Sequence, residues 1–205
     1  MTHLNHHRRW AALALSLSLL APWGAQAQNA SAPQSASTPK VRISTSLGDI
    51  EAELYADKAP KTVANFVQYV NDKHYEGTIF HRVIPGFMLQ GGGYDGQYRE
   101  KKTRAPVAHE GRQALAAGLR NTTGTLAMAR TNDPQSATAQ FFINVVDNAF
   151  LDPSFQSFGY TVFGKVTSGM DVVQKIRNTP TGAGGPFPTD VPRTPVVIQS
   201  ITLLK

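Results

Sequence analysis

The 205-residue chain contains no cysteine, which excludes disulfides, thiol nucleophiles and a lipid-modified amino terminus. Charge is also sparse, with 17% charged residues against 41% hydrophobic, the balance of a soluble globular protein held together by its core. One domain is the natural count. A membrane-spanning helix needs about 20 apolar residues, and the longest apolar run, Trp10 to Leu20, falls short of that. Arg8 and Arg9 precede this run, Pro22 and Gly24 break it, and Ala25-Gln26-Ala27 supplies small residues for cleavage. Residues 1–27 therefore read as a secretory signal cut after Ala27. The Sec route fits better than a twin-arginine route, because the residues around Arg8-Arg9 suit the latter poorly and no cofactor site follows.

The sequence is also poor in the signals of several function classes. The formal net charge is +6; without the two signal arginines it is about +4. The densest basic cluster, Arg99, Lys101, Lys102 and Arg104, lacks interleaved aromatics, so it reads as a solvated loop and not a nucleic-acid surface. Only His74, His81 and His109 remain beyond the signal, with no spaced ligand pair, so no metal site is expected. No G-x-S-x-G elbow marks a serine hydrolase. Gly91 to Gly96 formally matches G-x-G-x-x-G, but no helix opens behind it, so a sharp bend or a close backbone approach is the simpler reading.

Residues 28–40 (QNASAPQSASTPK) form a Ser/Ala/Pro/Gln-rich leader without apolar periodicity, expected to be disordered. The folded domain is then 41–205. VRISTSLGDIEAELY alternates as a hairpin, with Val41, Ile43, Ile50, Ala52 and Leu54 on one face and a turn at Ser46 to Asp49. Pro60 opens a helix whose stripe is Val63, Phe66, Val67 and Val70; a second short helix is expected at Met170 to Arg177. Further short strands fall at Ile79 to Ile84, Phe87 to Gln90, Thr125 to Met128, Phe141 to Val145, Thr161 to Val166 and Val196 to Leu203. Many short strands and few helices predict a mainly β barrel or sandwich with helices over its open ends.

Two stretches stand out. FHRVIPGFMLQGGG, Phe80 to Gly93, sets a lone arginine among apolar residues, and GTLAMARTNDPQSATAQFFINVVDNAFLD, Gly124 to Asp152, adds more large apolar side chains. Any one of these aromatics taken alone is ordinary core. Together with VFGKV, they make the chain resemble the cyclophilins, peptidyl-prolyl cis-trans isomerases, and among them the exported bacterial type, from about Val41 to the carboxyl end. The resemblance implies a closed eight-stranded antiparallel β-barrel capped by two α-helices. It implies no cofactor, Arg82 as the catalytic arginine, and Gln90 fixing Arg82 and a substrate carbonyl. Phe87, Met88, Phe142 and Leu151 would line a proline pocket, with Ala129, Arg130, Thr131 and Gln140 flanking the peptide. Phe150 stands where many cyclophilins have tryptophan, and Tyr160 where they have a histidine. The missing indole donor implies weak cyclosporin binding. Arg130 replaces a common asparagine at a position that meets the peptide through its backbone.

The chemistry suits those residue types. Rotation about an X–Pro bond meets a barrier of about 18–20 kcal/mol from amide resonance, and no bond to another atom changes. A twisted amide regains a lone pair on the proline nitrogen, and a guanidinium, permanently charged and rich in donors, favours that state over both planar isomers; Gly91 to Gly93, at the end of the apolar strip, would let a peptide backbone approach. The expected partners are proline-containing peptides and unfolded exported proteins, in the periplasm, with no nucleic acid, no membrane after cleavage, and a monomer by default. Two rivals stand beside the enzyme: a non-catalytic module binding extended proline-containing segments, and a domain tethered through residues 28–40 to an envelope complex.

Overall fold

The computed structural model describes residues 38–204; the expected signal and most of the expected leader lie outside the described residues. The chain runs β1 (Lys40–Thr45), β2 (Gly48–Leu54), α1 (Pro60–Asn71), β3 (Thr78–Ile79), β4 (Arg82–Ile84), β5 (Met88–Gly91) and α2 (Gly111–Ala116). It continues with β6 (Thr125–Met128), β7 (Phe141–Asn144), a 3-10 turn (Ala149–Leu151), β8 (Val162–Ser168), α3 (Met170–Arg177), β9 (Thr181–Gly184), β10 (Phe187–Pro192) and β11 (Val197–Leu204).

β1 and β2 form the expected hairpin, with Thr45 opposite Gly48 across a tight turn. Val41, Ile43, Ile50, Ala52 and Leu54 are wholly buried, whereas Arg42 bonds Glu51, its cross-strand partner, at 2.8 Å on the wet face. This is the period-2 segregation that a sheet with one buried face requires. Gly48 has φ +128°, and a side chain there would collide with Val172 of α3, so the turn and the helix packing both require glycine.

The antiparallel sheet has nine strands in the order β3-β11-β1-β2-β8-β6-β7-β5-β4. Its outermost members, β3 and β4, are neighbours in the chain, separated only by Phe80 and His81. β3 pairs with β11, and Phe80 N–H donates to Val196 O at 3.0 Å; then the chain switches partners, and β4 pairs with β5. Counted as one interrupted strand, the two halves close the curled sheet into the expected eight-stranded barrel. Phe66, Phe80, Phe141 and Phe163 fill it, with Phe66 edge-on to Phe141 at 5.5 Å.

Two helices were expected and three α-helices are present among the described residues. α1 and α3 follow the predicted bounds, although α1 buries Tyr69 where the sequence pattern suggested Val67. The additional helix, α2, is six residues long, too short to show an apolar period in the sequence. β9 and β10, a separate two-stranded sheet, also escaped sequence reading, since TGAGGPFPTD is a Gly/Pro-rich stretch without alternation. A second apolar cluster, Met88, Ala114, Leu119, Ala127, Phe142, Leu151 and Val162, lies apart from the barrel core. α2 contributes Ala114 to it, and Phe87 and Tyr160 pack against it.

Candidate active site

That second cluster is the floor of a cleft of about 360 Å³ lined by Arg82, Phe87, Met88, Gln90, Ala129, Arg130, Phe142, Phe150, Leu151 and Tyr160. Ten of the twelve residues singled out from the sequence thus share one concavity. The other two, Thr131 and Gln140, line an adjoining hollow of about 400 Å³ that shares Gln90, Ala129 and Arg130 with the first. A larger, shallow hollow of about 590 Å³ along α1 holds one charged side chain, Lys61, and no aromatic, so it offers little chemistry.

Arg82 and Gln90 face each other across the β4–β5 ladder, and Gln90 is in turn opposite Phe142 on β7. Neighbouring strands thus bring the cation, the amide and the ring to one side. Arg82 Cζ lies 6.0 Å from the Phe87 ring centroid. Among the described residues, the Arg82 guanidinium makes no hydrogen bond; its nearest carboxylate is Asp190, with Nε and Oδ2 4.0 Å apart. Its donors are therefore unengaged at the rim of an apolar hollow. Arg130, the other cation of the cleft, is tied down instead. Its Nε donates to Gly159 O at 3.0 Å, its Nη1 donates to Thr131 O at 2.8 Å, and its Cζ sits 4.6 Å above the Tyr160 ring. Tyr160 meets Phe142 edge-on at 5.5 Å, so the Arg130 side chain acts as wall.

Phe87 and Phe150 stack at 5.6 Å, and Phe150 is 72% exposed, a ring standing at the lip with no polar atom. The loops that carry them are fixed from below. Asn148 Nδ2 donates to Phe87 O at 2.9 Å and to Asn144 Oδ1 at 2.7 Å. Asn144 donates to Asn121 Oδ1 and Thr125 Oγ1, and Asp152 accepts from the Asn121 backbone and side chain at 2.8 and 2.9 Å. Asn121, Asn144, Asn148 and Asp152 are all buried; a satisfied buried network of this kind rigidifies what it touches. No local pattern marks these residues as a network, although polar side chains beside the apolar strand FFINV are a signal.

Two sequence expectations change. Gln90 makes no hydrogen bond to Arg82 among the described residues; its Nε2 donates to Gln140 Oε1 at 3.0 Å, because Gln140 folds over Gly93. The glycines at the end of β5 also do not open a path for a peptide backbone. A side chain at Gly91 would meet Ile79 O at 2.9 Å, one at Gly92 would meet Tyr75 at 2.8 Å, and one at Gly93 would strike Gln140 Cγ. The protein's own atoms use that space. Gly93→Ala should accordingly push Gln140 off Gln90 and reduce kcat/KM roughly tenfold with an unchanged far-ultraviolet circular dichroism spectrum; undiminished turnover would show that the Gln90–Gln140 pair does not shape the cleft.

His81, beside Arg82, is buried between Tyr94 at 4.7 Å and Phe187 at 5.2 Å, and its Nδ1 has no hydrogen-bond partner. Burial, reinforced by the Arg82 charge, lowers its pKa to about 4. As pH falls the unfolded chain, with an ordinary histidine, takes up the proton first. The stabilisation is therefore complete above about pH 6.5 and is lost progressively down to about pH 4, roughly 3 kcal/mol in all. In His81→Phe, urea midpoints should fall less between pH 6.5 and 4.5 than in the native chain. Parallel acid limbs would show that His81 is not the group responsible.

Residues 40–203 match the family described as cyclophilin type peptidyl-prolyl cis-trans isomerase/CLD. The chain is 55% identical over 163 residues to a peptidyl-prolyl cis-trans isomerase of Acinetobacter baylyi, a match spanning 80% of this chain and 84% of the relative. It is 51% identical to peptidyl-prolyl cis-trans isomerase B of Escherichia coli, over 80% of this chain and 98% of that one. Among solved structures, the cyclophilin type isomerase of Cryptosporidium parvum superposes with a TM-score of 0.64 at 26% identity, covering 82% of this chain and 98% of that one. The same protein in the presence of the dipeptide Ala-Pro gives a TM-score of 0.62, again at 26% identity, covering 81% and 99%. An antiparallel barrel carrying a cleft with an apolar floor and an arginine at its rim thus fits the cyclophilin type. The chain belongs to the cyclophilin family and is a peptidyl-prolyl cis-trans isomerase.

Proposed function

We propose that Arg82 is the catalytic residue, and that the protein is exported to the periplasm, where it accelerates proline isomerisation in newly translocated chains. The observation that carries this reading is the set of unengaged Arg82 donors facing a hollow floored by Met88, Phe142 and Leu151. Proline is a compact apolar ring that fits such a floor, and the solved Cryptosporidium parvum relative was studied with Ala-Pro. With the ring gripped, the preceding carbonyl swings while the guanidinium donates to the nitrogen lone pair that appears only as the amide twists. The interaction is stronger in the transition state than in either planar isomer, which is what lowers a barrier. Gln90, anchored by Gln140, would hold a substrate carbonyl, and the Ala129–Thr131 backbone would lie along the peptide. Phe150 supplies a ring without an N–H donor, consistent with weak cyclosporin binding.

The apolar run behind Arg8 and Arg9 and the small residues at Ala25 and Ala27 support export. Uncatalysed proline steps last tens of seconds or more, long enough for an exported chain to aggregate. Titrating Ala-Pro into isotopically labelled protein should shift the amides of Met88, Ala129, Phe142 and Leu151; shifts confined to other surfaces would displace the site. Expression with the native amino terminus should yield a periplasmic product beginning at Gln28, and a cytoplasmic product beginning at Met1 would overturn the export reading.

A further inference from the structure

We propose that Asp190 is the positioning residue for Arg82: its carboxylate attracts the guanidinium from the Nε side and leaves the N–H donors to face the substrate. The inference rests on the reading of Arg82 as the catalytic residue. Asp190 lies on β10, outside the cleft lining, with Oδ2 4.0 Å from Arg82 Nε. Among the described residues it is the sole carboxylate within ion-pair reach of Arg82. A contact at Nε alone suits the role, because a guanidinium presents five N–H donors in a fixed fork. A carboxylate on the Nε side, at 4.0 Å and so beyond hydrogen-bond distance, biases the plane of the fork by charge and leaves its N–H donors available.

The backbone at Asp190 is a second, independent sign. Its φ is +67°, a left-handed conformation uncommon for any residue with a side chain and kept only where the surroundings enforce it. Glycine would satisfy that turn without strain; aspartate adds a carboxylate. Thr189 Oγ1 donates to Asp190 Oδ2 at 3.1 Å, orienting the group further.

The hairpin around Asp190 is built to deliver it. β9 and β10 pair only with each other, and the hairpin is docked by apolar contacts. Phe187 packs on His81 at 5.2 Å and edge-on to Tyr94 at 5.0 Å, and Val191, next to Asp190, is 2% exposed. His81 immediately precedes Arg82, the first residue of β4, so the residue that anchors the hairpin and the residue that meets its carboxylate are adjacent in the chain. The buried His81, with its unpartnered Nδ1, packs under Phe187 and keeps the Asp190–Arg82 spacing.

The test is a double-mutant cycle on the full chain with a proline-containing peptide, reading kcat, KM and Tm. Asp190→Gly should lower kcat roughly five- to tenfold, as expected of a misplaced catalytic group, with KM within twofold. Its Tm should be unchanged or raised, since glycine accepts the positive φ. A merely structural residue would show the reverse, a lower Tm with kcat kept. In an Arg82→Ala background the same change should alter kcat/KM less than twofold, because residues acting as a unit are not additive. Asp190→Asn, which also tolerates left-handed backbone, should lose a smaller part of kcat and carries the comparison if the glycine variant folds poorly. Native-like kcat in both Asp190 variants, while Arg82→Ala is impaired, would overturn the positioning role and leave the catalytic reading intact. Equal losses in both backgrounds would overturn it too, since Asp190 would then act without Arg82. Full activity in Arg82→Ala would sink both readings.

Discussion

Arg82→Ala is expected to lower kcat/KM for a proline-containing peptide about a hundredfold while leaving the Tm within a few degrees. Removing one preorganised donor from a low-dielectric site costs about 10²–10³ in rate. The lower end applies because the Arg82 side chain is 44% exposed, so solvent screens part of its field. A hundredfold corresponds to roughly 2.7 kcal/mol of transition-state stabilisation. Stability should hardly respond, since Arg82 makes no hydrogen bond among the described residues and its one ion pair, at 4.0 Å and substantially exposed, is worth about 1 kcal/mol at most. Arg82→Lys keeps the charge but loses the planar fork, and should fall between. A loss of twofold or less in the alanine variant would put the lost stabilisation under about half a kcal/mol and remove Arg82 from the mechanism.

The second large effect is on stability and comes from Glu110. α1 begins at Pro60, and the residue before it, Ala59, has no side chain with which to cap the helix. Glu110, far along the chain, does so. Its carboxylate accepts from Lys61 N–H at 3.1 Å, from Thr62 N–H at 2.8 Å and from Thr62 Oγ1 at 2.7 Å, and the residue is 5% exposed. A negative charge at the positive end of a helix adds to those bonds. Glu110→Ala strips the first turn of α1 of its acceptors inside the fold, which should cost about 3 kcal/mol and lower the Tm by roughly 6–12 °C for a domain of this size. Glu110→Gln, which keeps one acceptor oxygen, should cost about half as much. Activity measured well below the transition should persist in both, because neither substitution touches the cleft. A shift in chemical stability under about 0.5 kcal/mol would show that water caps α1 as well as the carboxylate does.

Glu110 also shows where sequence reading stopped. The segment from Gln97 to Asn121 shows no period in the sequence, yet it supplies the α1 cap, α2 and Asn121 of the buried network. Tyr69, Gln140 and Asp190 tell the same story in smaller form. Each has an ordinary local context, and its role comes from a partner on another element. The Gly91–Gly93 run suggests an opening for substrate because glycine leaves space; Ile79, Tyr75 and Gln140 occupy it.

By itself, the sequence determined what depends on neighbours in the chain and on composition. Alternation placed the β1–β2 hairpin, a 3.6-residue period placed α1 and α3, and the absence of cysteine left the core to carry stability. Two long motifs assigned the family and gathered the cleft residues in advance. Only the tertiary structure decided which distant groups meet: Glu110 under α1, His81 under Phe187, Gln140 over Gly93, and Asp190 beside Arg82. Periodicity reports which face of an element is buried, because burial follows side-chain direction along the backbone. It carries no information about which element will cover that face, since the choice is made by chain closure and packing across the whole barrel.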